Sequence, residues 1–241
     1  MDFNVLSDGN GSLKCQLISE LGELFEYTFN IFSTNGNMII SASSNVSVSA
    51  FYLNIENFYD TKNLKLAILG DSYVQGHSLG AARIYTYANL LAKTIGEDRC
   101  VNFGLGGSNM SATIARAEND LQLARCANYV MVPMSCNEGS NDFNSLVAKI
   151  VQIAHEIVSI GSIPIFGTFI ELPTGYSLSV MPQVNNWIKN SGYLYIDFDS
   201  VLRDSNGDVD SSLFLADNTH PTVEGHQRLY NRILIDCPFL F

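Results

Sequence analysis

The chain has 241 residues, with 13 basic against 24 acidic side chains and a formal net charge of −11. That length suits one full domain plus a smaller appendage, and it buries enough surface to need no covalent staples. Phosphate backbones and anionic headgroups are bound by clustered Lys and Arg, so an acidic chain excludes nucleic acid as a partner and disfavours a membrane surface.

The stretch from 27 to 55 carries no charged residue and is long enough to span a bilayer, but its many Ser and Asn and Gly36 break it into alternating, strand-like pieces. No transmembrane insertion is expected. The first residues, MDFNVLSDGNGS, carry acids where a signal peptide needs Lys or Arg, so the chain reads as cytosolic or as already trimmed of a targeting segment. Cys15, Cys100, Cys126, Cys136 and Cys237 are odd in number, widely spaced and without a C-x-x-C pair. They are expected to be reduced core thiols rather than a disulfide framework or a zinc cage. Phe25, Tyr27, Phe29 and Ile31 alternate with Glu26, Thr28 and Asn30, Asn35-Gly36 has the residue types of a type I′ hairpin turn, and residues 45–55 resume a period of two. Residues 1–61 are therefore expected to form an N-terminal β-rich module that would be marginal alone.

From residue 62 the texture becomes strand, turn, helix, repeated. Apolar runs at 64–69, 100–103, 129–134, 163–169 and 193–198 read as strands covered on both faces. Segments 81–95, 111–125, 143–160, 177–190 and 221–235 carry helical periodicity. Five strands separated by helices predict an α/β domain over 62–241, a doubly wound five-stranded parallel sheet with helices on both faces. Ligands should then sit beyond the carboxyl ends of the strands.

Chemistry-bearing residues collect at those ends. The first strand runs into Gly70-Asp71-Ser72, where a hydroxyl is presented at the start of a helix whose free N–H groups and dipole favour a developing oxyanion. Either Asp71 or Ser72 could instead only cap that helix. Asp217 and His220 are spaced so that the carboxylate can hold Nδ1–H and leave Nε2 free to take a hydroxyl proton, although Asp217 could also merely cap a helix opened by Pro221. Gly104, Gly106 and Gly107 follow the second strand and let backbone approach a ligand closely, and Asn137 follows the third. Neither G-K-[ST] nor G-x-G-x-x-G is present, which argues against a nucleotide site.

Over roughly residues 64–236 the chain resembles the SGNH hydrolases, also called the GDSL family. Gly70-Asp71-Ser72 is similar to the nucleophile block, Asn102-x-Gly104-x-x-Gly107 to the glycine block, Asn137 to the asparagine, and Asp217-x-x-His220-Pro221 to the final block. The resemblance implies a flavodoxin-like fold, Ser72, His220 and Asp217 as a catalytic triad, and backbone N–H of Ser72, backbone N–H of Gly107 and the Asn137 amide as the oxyanion hole. It implies no metal or organic cofactor. Three departures stand out. Tyr73 occupies the position of the family's leucine. The third block reads Ser135-Cys136-Asn137-Glu138, while Gly139-Ser140-Asn141-Asp142 spells the consensus literally; Asn137 is preferred because it ends the strand, and Asn141 is expected to open the next helix. Nor do the residues before Ser72 form a G-x-S-x-G elbow.

His77 reads as a surface residue that could line the pocket mouth, His226 as structural, and His155 as lacking any ligand-spaced partner. Glu171 and Tyr176 are substrate-contact candidates, and Asp71 reads as a local hydrogen-bonding residue rather than the triad acid. Asn10, Asn45 and Asn109 head sequons that matter only in a eukaryotic secretory route. The leading expectation is a serine ester hydrolase that removes acetyl groups from a carbohydrate, because an N-terminal β module on such a domain resembles the layout of carbohydrate O-acetyl esterases. That reading favours action on glycans outside the cell. The runner-up is a lipid esterase, lysophospholipase or thioesterase, and a third possibility is a glycan-binding module with a vestigial site.

Overall fold

The structure is a computed structural model that describes the backbone of residues 2–7, 12–18 and 24–30 and, apart from 125–126, 135, 140 and 175–178, residues 64–241. The chain divides into two compact units, residues 1–60 and 61–241.

In the first unit three strands, β1 (Asp2–Ser7), β2 (Ser12–Ile18) and β3 (Leu24–Asn30), form an antiparallel sheet in the order β1-β2-β3. Cys15 stands opposite both Val5 and Tyr27. β3 contains the alternating Phe25, Tyr27 and Phe29. The Asn35-Gly36 turn and the segment 45–55 lie outside the described residues.

The second unit is built on five parallel strands: β4 (Leu66–Gly70), β5 (Cys100–Gly104), β6 (Tyr129–Pro133), β7 (Ile163–Gly167) and β8 (Leu194–Ile196). Their order is β5-β4-β6-β7-β8, so the first strand of the unit lies between the second and third, and the chain reverses its winding there. Such a reversal opens a crevice at the carboxyl ends of the strands on either side of it. Every residue of β4 is buried, as a central strand covered on both faces requires.

The helices are α1 (Ser72–Gln75), α2 (Tyr87–Ile95), α3 (Met110–Ala124), α4 (Phe143–Ser159), α5 (Met181–Asn190), α6 (Phe198–Val201) and α7 (Val223–Asp236). α3, α4 and α5 pack in one row, and α2, α7 and α6 in another. α4 shows why the sequence dictates this layer: Leu146, Ile150, Ile153, Ala154 and Ile157 recur at helical spacing, and all are buried.

Several helix starts differ from the sequence reading; α5, expected from 177, starts at Met181. The segment after Gly80 first makes a 3-10 turn (Gly80–Tyr85), and α2 starts at Tyr87 because Thr86 is extended and its hydroxyl accepts from Asn89 N–H at 3.3 Å. Asn141 does not open α4; Asp142 caps it, accepting from Ser145 N–H at 3.2 Å. Pro221 does not open α7 either, because Thr222 is the cap, accepting from Gly225 N–H at 3.2 Å. No helix among the described residues is long and apolar enough to cross a membrane. Cys100, Cys136 and Cys237 are buried free thiols, and burial raises the Cys100 thiol to about 12. Cys126 and the Cys15 side chain lie outside the description.

Candidate active site

β4 and β5 end together, with Gly70 paired to Gly104. The chain turns at once into α1, where Asp71 is the cap and its Oδ1 accepts from Tyr73 N–H at 2.9 Å. Ser72 is thus the first residue of the helix, and it is 5% exposed. The turn is held from behind at the Gly70 carbonyl, which accepts from Leu105 N–H at 3.0 Å and from the Arg116 guanidinium, reaching over from α3, at 2.9 Å.

The loop after β5 closes over this turn. Asn102 ties its start to α1, accepting from Gly104 N–H at 2.8 Å and donating to the Val74 carbonyl at 2.9 Å. Gly106 N–H donates to the Gln75 side chain at 3.0 Å, and a methyl group at Gly106 would come within 4.0 Å of Ser72 Cβ. Gly107 has φ +78°, a left-handed conformation that side chains resist and that re-aims its N–H. Neither Ser72 N–H nor Gly107 N–H has a protein acceptor among the described residues. Both are available to an anion.

After β6, the Asn137 amide donates to Ser108 O at 3.1 Å and to Asp71 Oδ2 at 3.3 Å. Asp71 is therefore a buried hub that caps α1 with one oxygen and holds Asn137 with the other. Both amide hydrogens are engaged in this conformation, so donation to an oxyanion requires the longer bond, to Asp71, to yield. Asn141 is exposed. The neighbouring Glu138 is only 1% exposed; it accepts from Met110 N–H at the start of α3 and pairs with Lys149 Nζ at 3.3 Å. A buried carboxylate in this role fastens the Asn137 loop to α3 and α4, a function that the sequence pattern alone did not reveal.

The final block forms a tight turn before α7. Asp217 Oδ1 accepts from Thr219 N–H and His220 N–H, each at 2.9 Å, and its Oδ2 lies 2.7 Å from His220 Nδ1. Partial burial alone would raise the Asp217 carboxyl, but these backbone and imidazole donors outweigh it and hold the group below its ordinary value. A carboxylate that stays ionised fixes the proton on Nδ1 and leaves Nε2 as the basic nitrogen.

This turn lies against α1. The Tyr73 O–H donates to the Thr219 carbonyl, the Tyr73 and His220 rings are 6.0 Å apart between centroids, and the His77 and His220 rings are 5.2 Å apart. Ser78 Oγ lies 3.4 Å from His220 Nδ1. Ser78 (φ +69°) and Asn218 (φ +52°) are the non-glycine residues with left-handed backbone among those described, and both flank the imidazole. Backbone strain of this kind collects where surrounding structure fixes a functional group. The structure thus brings His220 against the Ser72 segment without a direct hydrogen bond between the two: among the described residues, Ser72 Oγ and His220 Nε2 each lack a partner. Such bonds are often long or open without substrate and tighten when it binds.

The other candidates separate clearly. His77 is exposed beside the His220 ring. His226 is buried, accepts from Tyr87 N–H at 3.5 Å, and is driven by burial down to about 3, so it is a neutral structural residue. His155 is exposed on α4. Glu171 pairs with Arg203 at 2.7 Å beside a cleft of about 280 Å³ between α5 and the segment after β8. Tyr176 lies outside the described residues.

A search of curated protein sequences gives no significant match. Solved structures do align. A G-D-S-L family lipolytic protein from Desulfitobacterium hafniense DCB-2 is 20% identical, with 70% of this chain and 97% of that one covered at a TM-score of 0.60. TesA is 17% identical, with 73% and 99% covered at 0.61. A catalytic mutant of Axe2, an acetylxylan esterase from Geobacillus stearothermophilus, is 18% identical, with 73% and 94% covered at 0.58. At these identities the likeness establishes the fold. Residues 68–228, about two thirds of the chain, match the GDSL-like Lipase/Acylhydrolase family, and this match spans all four blocks of the site. The chain belongs to that family.

Proposed function

We propose that this protein is a serine ester hydrolase that removes acetyl groups from a carbohydrate. Ser72 attacks the acyl carbonyl while His220 Nε2 takes its proton, and Asp217 holds the imidazole tautomer and balances the imidazolium. Ser72 N–H, Gly107 N–H and the Asn137 amide receive the oxyanion. His220 then returns the proton to the departing sugar hydroxyl. Water, activated by the same nitrogen, hydrolyses the acyl-enzyme and restores Ser72.

The observation that carries this reading is the Asp217–His220 pair at 2.7 Å, fastened against α1, with His220 Nε2, Ser72 N–H and Gly107 N–H all without partners among the described residues. The fold shared with an acetylxylan esterase supports the substrate class. The fold shared with TesA and the family's lipase/acylhydrolase description favour, as a second reading, an esterase or thioesterase acting on longer acyl chains.

Hydrolysis of p-nitrophenyl acetate tests the mechanism. Ser72→Ala should keep the fold and lose at least 10³-fold in kcat; full activity in that variant would refute the mechanism. An ester series separates the two substrate readings. A deacetylase falls steeply in kcat/KM from acetyl to octanoyl esters, whereas a long-chain enzyme rises.

A further inference from the structure

We infer that Tyr73 is a positioning residue whose phenol O–H sets the register of the His220 turn against Ser72. The inference rests on the proposed triad. Asp217 and His220 sit on the same short turn, so their mutual bond orients the imidazole within the turn but does not fix the turn relative to the serine. A second constraint comes from the α1 side. Tyr73 supplies it: it immediately follows Ser72, its ring is buried at 6% exposure, and its O–H donates across 146 positions of sequence to the carbonyl of Thr219, the residue before His220. The His220 N–H of that same peptide is already taken by Asp217, so the peptide that carries His220 is gripped on both sides, by the carboxylate from within the turn and by the phenol from the nucleophile's helix. Asn218 in the same turn has a left-handed backbone, so the turn is a conformation that needs such holding.

Leucine, the residue that the G-D-S-L motif places here, packs but has no donor. This chain therefore links nucleophile and base through a bond that a leucine at that position could not make. Burial, reinforced by the neighbouring Cys136 and Asp71, pushes the Tyr73 phenol well above its ordinary value, so it remains a donor throughout the working pH range.

The test is Tyr73→Phe, which removes the oxygen and keeps the ring, with Tyr73→Leu as a second variant lacking the same donor. Both are assayed against p-nitrophenyl acetate across pH and by the rate of Ser72 phosphonylation with a fluorophosphonate probe. Loss of one positioning hydrogen bond should lower kcat about 3- to 10-fold with KM within about twofold, at every pH, and slow phosphonylation in parallel. A purely structural tyrosine would lower the melting temperature and leave kcat, KM and phosphonylation unchanged in whichever variant folds, and that result overturns the inference. If wild-type protein neither hydrolyses the ester nor takes up the probe, the triad reading itself fails and the inference falls with it.

Discussion

Asn137 shows how far a single side chain can be followed. It ends the approach from β6, and its amide rests on Asp71 and Ser108, the sequence neighbours of Ser72 and Gly107. Replacing it with alanine should lower kcat for acetyl esters about 10²-fold, the usual cost of one oxyanion donor, while exposed Asn141→Ala stays at wild-type activity. The reverse pattern would move the oxyanion asparagine to 141. His226 gives a prediction about stability. Its ring is neutral and buried between α2 and α7, and its proton affinity falls from 6.5 to about 3. Between those values the unfolded chain binds more protons than the folded one, so stability drops as the pH is lowered from about 6.5, by up to about 1.4 kcal/mol per pH unit from this group. His226→Gln, which keeps an acceptor for Tyr87 N–H, should flatten that slope in melting temperature measured from pH 7 to 4. An identical slope in both proteins would count against the assignment.

The elements carry the site by meeting at their ends. A methyl group on Gly104 would sit 2.5 Å from the backbone nitrogen of Gln75 and 2.8 Å from the carbonyl carbon of Val74, so β5 can reach α1 only through a glycine. Gly104→Ala should cost about 1–3 kcal/mol in urea denaturation and displace the loop that carries Gly107, with a larger proportional loss in kcat. Unchanged stability would contradict the close approach. The same junction explains what the sequence could and could not disclose. Continuous apolar runs mark buried parallel strands, so all five strands of the second unit were legible, and the glycines and the Asp217–His220 spacing stood at their ends. Helix starts were less legible, because Ile84 and Tyr85 extend the periodicity into a 3-10 turn that leaves both exposed, and a single capping hydroxyl on Thr86 sets the true boundary. The long-range contacts that hold the site were not legible. Tyr73 to Thr219, Arg116 to Gly70 and Glu138 to Met110 span 146, 46 and 28 positions, and no local pattern encodes such pairs.

At the scale of the whole molecule, a charge of −11 bears on what reaches the serine. Neutral acetyl esters should turn over at rates nearly independent of ionic strength, while esters of anionic alcohols should be poor substrates whose kcat/KM rises with salt as the repulsion is screened. A salt-insensitive rate for both would show that the net field does not act at the site. Topology is the other molecular feature. The reversal of winding at β4 gathers residues from positions 72, 107, 137 and 217–220 at one edge of the sheet, the sheet-level reason why these distant blocks can form a single proton-relay site. The most direct measurement of that claim is to react the protein with a fluorophosphonate and map the adduct by peptide mass. One adduct is expected, on Ser72, formed at least 10²-fold more slowly when His220 is replaced by alanine. Modification at another residue, or labelling of Ser72 at an undiminished rate in His220→Ala, would contradict it.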